Sequence, residues 1–531
     1  MNVDLLIRGG TVVDGTGSEP YRADVAVHQG RIAQIGEFEV PPGTATLEAE
    51  GLVVAPGFID IHSHSDFTLV VDPRAVSSIT QGVTFELVGN CGHGCAPIGN
   101  PDIARSNIYG CSASHEIPWR SVDEYLSCLE ERQPAVNVAT LVPNGNLRLA
   151  VTGLVDRAST AGELRQMQQL LSQGMEEGAF GYSTGLEYAP ERGCTAEEVT
   201  ELCRTSSRYR GFYATHTRNL PGEARETIAE AIDTSATAGI PLQISHISVV
   251  ARLIEDGRFA VEQALQQVDS ANRRGVDVGF DMHTRLFGTT NLSAVLPPWA
   301  LAGERQEIAE RLRSAATRRE LRKYHSIITA LARSDWSRIV VYACRAFPEY
   351  SRRSIAEIAE ARGTDPFDAI YDILLAELDD LHSLMVIALA YRESDLRMAF
   401  AHPECMIGSD ATALAPDGPL VGSSFHGAYT WAAWFFRHFV REVGMISTQE
   451  AVRRLTSLPA RRIGLTDRGV IRTGARADLA VFDAATFGEC GTTFEPNQVA
   501  RGMVHVIVNG IVSLRDGQLT TARGGQVLRH H

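Results

Sequence analysis

Six residues of this 531-residue chain have the types and placement that metal-assisted hydrolysis needs: His62, His64, Cys91, His216, His246 and Asp410. His62 and His64 stand two apart in GFIDIHSH (57–64). Residues two apart on a strand face the same side, so both imidazoles can reach one ion. Imidazole, thiolate and carboxylate are the ligands zinc takes. Each residue alone has a commoner explanation. A single strand histidine is usually a satisfied core residue, a buried cysteine behaves as a small hydrophobe, and an aspartate after a strand can cap the next helix. Together, five separate strand ends carry such groups. Burying them in an apolar interior without an ion would cost on the order of several kcal/mol. His93 and Cys95, in NCGHGC, read as loop residues, Cys95 as a structural one; His115, His325, His382, His402 and His438 receive no site role.

The elements that must position these groups alternate. Eight short apolar runs read as strands: 57–64, 83–91, 137–144, 179–185, 212–218, 242–248, 278–283 and 405–410. Amphipathic segments such as AGELRQMQQLLSQGMEEG lie between them. Repeated strand–helix alternation predicts an α/β (β/α)8 TIM-like barrel, with functional groups at the C-terminal ends of its strands. The stretch from His283 to Cys405 is too long for one loop and contains helical text, EIAERLRSAATRRELRKYH among it. It predicts a helical lid inserted between strands 7 and 8. Both ends of the chain alternate β-branched residues with glycine and Asn-Gly turns, as hairpins do; they predict one small β-sandwich built from both termini. The resulting division is 1–55 and 466–531 for the sandwich, 56–284 for barrel strands 1–7, 285–404 for the lid, and 405–465 for strand 8 and the last helix.

Composition narrows the function class. The formal net charge of −15 argues against a nucleic-acid partner, because phosphate binding needs basic surface. No apolar run reaches the roughly 18 residues of a membrane span. The opening MNVDLLIRGG carries Asp4 and Arg8, unlike a signal peptide. Nine scattered cysteines with no C-x-x-C pair predict a reducing, cytoplasmic setting rather than a disulfide framework. A small molecule is the expected partner, and self-association is left open. The ending Arg529-His530-His531 is set aside from the site.

The runs APGFIDIHSHSD, GNCG, STGLEY, THTR, QISH and IGSD resemble the amidohydrolase superfamily, and within it the N-acyl-D-amino-acid deacylases. The similarity extends along nearly the whole chain, including LTSLPARRIGLTDRGVIRTGARADLAVFD. The resemblance implies that Cys91, His216 and His246 hold a tightly bound zinc and that His62 and His64 line a second, weaker site. It implies that Asp410 is the general base and then acid, that Tyr188 polarises the substrate carbonyl or places the substrate, and that Arg218 sits beside the site. Many binuclear relatives bridge two metals with a carboxylated lysine. The single lysine here, Lys323, lies on no predicted barrel strand, so that centre is excluded and Cys91 is the substitute ligand. Zinc lowers the pKa of water to near 7, and a positioned carboxylate moves the protons.

The substrate end departs from the resemblance. Ser248 stands where those deacylases place a lysine, and Asp281-Met282-His283-Thr284-Arg285 replaces their D-x-Y-P-Y run. Either Arg285, His283 and Arg218 grip a substrate carboxylate in a new way, or the substrate is a neutral amide or specialised metabolite. Trp299 and Phe287 are candidate apolar walls. Cyclic-amide hydrolysis, ring deamination and a non-catalytic scaffold are the competing readings.

Overall fold

The computed structural model describes residues 2–112, 115–218, 224–247, 257–381 and 384–530; Ser248 and His382 lie outside the described residues. At its centre are eight parallel strands: β1 (Phe58–Asp60), β2 (Val83–Val88), β3 (Asn137–Thr140), β4 (Gly181–Gly185), β5 (Phe212–His216), β6 (Leu242–Ile244), β7 (Val278–Met282) and β8 (Cys405–Ile407). Each pairs with its sequence neighbour, the two-residue strand Val142–Pro143 joining β3 to β4. The ring closes where Ser63 bridges Ala411 in parallel and the Asp410 N–H donates to His62 O at 2.8 Å. Both faces of these strands are covered, which is why they read as near-continuous apolar runs rather than alternating ones.

The surrounding helices begin where the sequence supplies a cap. Thr160 with Glu163 and Thr195 with Glu198 form reciprocal capping boxes at Ala161–Glu176 and Ala196–Ser207. Such boxes satisfy two of the four N–H groups a helix start leaves unpaired. Met167, Leu171, Val199 and Leu202 turn inward from these helices onto the barrel core.

The insertion is helical and also contains a three-stranded antiparallel sheet in the order Gly288–Asn291, Met385–Ala388, Ile339–Val341. It has its own core, with Leu292, Leu312, Ile328, Leu331, Ile370 and Val386 buried together. The helix Glu393–Ala401 fell inside the predicted lid (285–404). It belongs instead to the barrel, because Leu396, Ala399 and Phe400 are buried in the barrel's core. Periodicity alone cannot tell which core an amphipathic helix faces.

Strands from both ends join in one nine-stranded sheet. The junction is Leu479–Phe482 running antiparallel to Val53–Pro56. Hydrogen bonding is continuous across it, and four register shifts mark bulges, which bend and twist a sheet locally. Ile7, Val25, Leu47, Val54, Leu479 and Val481 share its core. The last residues pack as well: Val527 bridges Val138 of β3, Leu528 N–H donates to Val138 O at 2.7 Å, and His530 N–H donates to Gly178 O at 3.0 Å. Arg529 pairs with Asp123 at 2.7 Å and Glu130 at 3.3 Å. The tail therefore lies between β3 and β4 at the end of the barrel opposite the strand C-termini.

Candidate metal centre

The six residues singled out in the sequence meet at the C-terminal mouth of the barrel. Cys91 Sγ lies 3.2 Å from His62 Nε2 and 3.5 Å from His246 Nε2. His216 Nδ1 lies 3.1 Å from His246 Nε2. Asp410 Oδ1 stands 3.3 Å from His64 Nε2 and 3.5 Å from His62 Nε2. The donors fall into overlapping sets, His62–His64–Cys91, Cys91–His216–His246 and His62–His246–Asp410, each with its ligand atoms within 4.8 Å of one another. Cys91 is common to the first two.

Proton bookkeeping shows that a cation fits. His62 Nδ1 faces Asp281 Oδ1 at 3.1 Å, and His216 Nε2 faces Glu187 Oε2 at 2.7 Å. A carboxylate accepts only, so each of those nitrogens carries the hydrogen. That leaves His62 Nε2 and His216 Nδ1 as the ring nitrogens turned toward the sulfur and His246, the atoms a cation would take. Burial pushes the Cys91 thiol up, yet the His62 and His246 imidazoles outweigh it and hold the thiol well below its ordinary range. A sulfur and imidazole nitrogens packed this closely form the donor set of a soft-to-borderline cation. The carboxylates behind the histidines fix their tautomers, as second-layer acceptors of metal ligands do.

The backbone is bent to bring these atoms together. Cys91 (φ 52°), His246 (φ 35°) and Asp410 (φ 46°) all occupy the left-handed region, which costs of order 1–3 kcal/mol each for residues with a Cβ. Glu191 braces the turn after Cys91 from below, accepting from Gly185 N–H and Asn144 Nδ2, both at 2.9 Å. Burial raises the Glu191 carboxyl to about 7.

Residues 45–513 match the Amidohydrolase family. The chain belongs to this family. It is 31% identical to the D-aminoacylase of Alcaligenes xylosoxydans xylosoxydans over 527 residues, covering 99% of this chain and 97% of that one. It is 32% identical to the N-acyl-D-glutamate deacylase of the same organism over 529 residues, covering 99% and 96%. Among solved structures, the N-acyl-D-glutamate deacylase from Bordetella bronchiseptica, complexed with zinc and a phosphonate mimic of the tetrahedral intermediate, matches with a TM-score of 0.82 at 30% identity. That match covers 100% of both chains.

Beside the donors this amidohydrolase has a pocket of about 540 Å³, counting its open mouth. Tyr109, Tyr188, His283 and Phe425 line it from the barrel side; Thr289, Ile327 and Tyr391 roof it from the insertion side. The Tyr188 ring packs at a tilt 4.7 Å from His216 and 5.1 Å from His93, with its hydroxyl 3.4 Å from His216 Nδ1. His283 is buried against Tyr391. Burial and the neighbouring Arg285 hold its imidazole well below the usual value, so it is a neutral wall of the pocket.

Four residues expected at the substrate, Arg218, Arg285, Trp299 and Phe287, have other partners or positions. Arg218 turns away from the pocket: it donates to the carbonyls of Arg192 and Cys194 at 2.9 and 2.8 Å and pairs with Glu230 at 3.3 Å. β5 ends at His216, so the period-two register no longer holds at Arg218. Arg285 is buried and bonded to Asp410. Trp299 is 48% exposed on the insertion's outer surface and lines no part of the pocket, and Phe287 packs 5.0 Å from His426. Ser248 lies outside the described residues. Conversely, no motif or periodicity pointed to Tyr109, Phe425 or Tyr391, which come from loops. Asp281 and Glu187 were legible as acids near strand ends, but only pairing distances show them behind the histidines.

Proposed function

We propose that this amidohydrolase hydrolyses a linear amide, removing the acyl group from an N-acylated amine. The observation that carries the reading is the convergence of the Cys91 sulfur, four imidazoles and the Asp410 carboxylate on one pocket. Cys91, His216 and His246 would hold a zinc ion tightly, with His62 and His64 offering a second and weaker position. When bound, zinc supplies Lewis-acid polarisation of a carbonyl and brings the pKa of water to about 7.

The chain's own groups do the rest. Asp410 is the one member of the set with an exposed edge, its side chain 23% accessible, and its Oδ1 faces the donors. Burial raises its carboxyl, but the His64 hydrogen bond and the Arg285 and His62 charges outweigh burial and hold it well below the usual range. It is therefore a carboxylate at neutral pH. It takes the proton of the attacking water and delivers it to the leaving nitrogen, which departs poorly unless protonated. Tyr188, on the pocket wall, donates from its hydroxyl to the developing oxyanion, the interaction that strengthens most in the transition state. The aromatic roof excludes water from the reacting carbonyl.

Two substrate classes fit, each with its own support. The relatives named for N-acyl-D-amino acids favour a substrate with a free carboxylate. The commitment of Arg218 and Arg285 to other partners favours a neutral amide. The nine free cysteines favour a reducing cytoplasm, and none of the described helices is long and apolar enough to cross a membrane. Elemental analysis followed by a release assay on the same sample tests the reading. The panel holds N-acetyl-D- and L-amino acids beside neutral aryl and alkyl amides. Stoichiometric zinc with acyl release is expected; ammonia release from aminated rings, or no metal at all, would overturn it.

A further inference from the structure

Arg285 is a buried cation, and three of its four hydrogen bonds go to one short segment, Ser409–Asp410. Its Nη2 donates to Asp410 Oδ2 at 2.8 Å and to Asp410 O at 2.9 Å. Its Nη1 donates to Ser409 O at 2.9 Å and to His426 O. The side chain is only 5% exposed. The segment it holds is the strained one, since Asp410 has φ 46°. Room for the guanidinium is built in at Gly427, where an added Cβ would lie 2.2 Å from Arg285 Nη1. With Oδ2 occupied by the arginine, Oδ1 is the oxygen left facing His62 and His64. A free carboxylate seldom keeps one oxygen on one target; a planar guanidinium bonded to both the side chain and the backbone of the same residue removes that freedom.

We infer that Arg285 is a positioning residue for Asp410, fixing which carboxylate oxygen meets the water, and that it is not the receptor for a substrate carboxylate. This rests on the reading of Asp410 as the proton-transfer group. An arginine that received substrate would keep donors toward the pocket. Here four bonds are spent on Asp410, Ser409 and His426, and the remaining nitrogen, Nε, is buried without a partner among the described residues.

Steady-state kinetics of Arg285→Lys and Gly427→Ala test it, on whichever substrate of the panel turns over best. The expected result is a fall in kcat of about tenfold or more with KM within about twofold, the pattern of a lost transition-state interaction. Bound zinc should stay at the wild-type level. The decisive variant is Arg285→Lys/Asp410→Asn, which should be no slower than Asp410→Asn alone, because groups acting as one unit are not additive. A raised KM with kcat preserved would make Arg285 a substrate receptor and overturn the inference; so would additive losses in the double variant. Melting temperatures of wild type, Arg285→Lys, Asp410→Asn and the double variant provide a readout free of catalysis. A double variant that loses less than the sum of the single losses supports the pair, and strict additivity overturns it. Wild type inactive on every amide would sink the proposed reaction instead, and the melting cycle would still decide the pairing.

Discussion

Asp281→Asn should separate metal affinity from folding. Asp281 is buried, and its Oδ1 accepts from His62 Nδ1 at 3.1 Å and from His246 N–H at 2.9 Å. Its Oδ2 accepts from Gln243 Nε2 at 2.9 Å. Asparagine can keep its amide oxygen toward the two histidines and turn its nitrogen toward Gln243. Gln243 can accommodate that, because its Oε1 is buried with no partner among the described residues, so a flip of the amide creates a new bond where the old one was lost. The remaining cost is the loss of charge from the two Oδ1 bonds. Bonds to charged groups contribute about 1.5–3 kcal/mol and neutral ones about 0.5–1.5, so folding should weaken by roughly 2 kcal/mol. His62 loses more. Without a charged acceptor its ring is a poorer base, and second-layer changes of this kind typically reduce metal affinity about 10- to 100-fold, worth roughly 1.4–2.7 kcal/mol. Chelator competition followed by elemental analysis measures the affinity; denaturant melts of metal-free protein measure the folding. Zinc binding weakened about 10- to 100-fold, in a metal-free protein that still folds but is roughly 2 kcal/mol less stable, is expected. Zinc affinity unchanged within a factor of two would refute the assignment of Asp281 as the acceptor that sets the His62 lone pair.

Three further outcomes follow from other parts of the molecule. Asp410→Asn should lower kcat by about 100- to 10,000-fold, the range of general acid–base assistance, with zinc content unchanged; near-wild-type turnover would remove Asp410 from the mechanism. Deleting residues 524–531 removes the three backbone bonds of the tail to β3 and Gly178, the Arg529 ion pairs and the Gln526 N–H bond to Asn137, and should cost more than the roughly 3 kcal/mol of the backbone bonds alone at about 1 kcal/mol each, while KM is unchanged because the tail lies far from the mouth; melting and kinetics of the truncated chain check both. His426 is held neutral by burial, which lowers its imidazole to about 4, against a hydrogen bond to Thr493 O that opposes the shift and Arg285 that adds to it. The unfolded chain binds a proton below about 6.5 and the folded chain resists until about 4, so this stability is complete above about 6.5 and is lost as pH falls between the two. His426→Asn should therefore shrink the acid destabilisation between those values by roughly 3 kcal/mol, measured by denaturant melts at both ends of the window; an unchanged pH profile would contradict the buried neutral state.

The residues themselves carried the chemistry. H-x-H spacing on a strand, a cysteine, two further strand histidines and a strand-end aspartate specified a zinc-type centre, because ligand chemistry depends on residue type and the period-two register of a strand is local. Eight apolar runs separated by amphipathic segments likewise specified the barrel, since fully covered parallel strands cannot alternate with polar residues. The single lysine, Lys323, lies on no barrel strand and pairs with Glu320 in the insertion, so its position in the sequence argued against a carboxylated-lysine bridge.

Tertiary structure decided what depends on distances between remote segments. Arg218 and Arg285 look alike in sequence, as arginines just past strand ends. One turns out to brace the loop around Cys194, and the other holds Asp410, because their partners Glu230 and Ser409–Asp410 arrive from other elements. The aromatic residues that shape the pocket sit on loops whose paths no periodicity encodes. The helix Glu393–Ala401 has the same amphipathic text as the lid helices, and only packing assigns it to the barrel. Local pattern fixes what a residue can do; the long-range closure of the barrel and its insertion fixes what that residue meets.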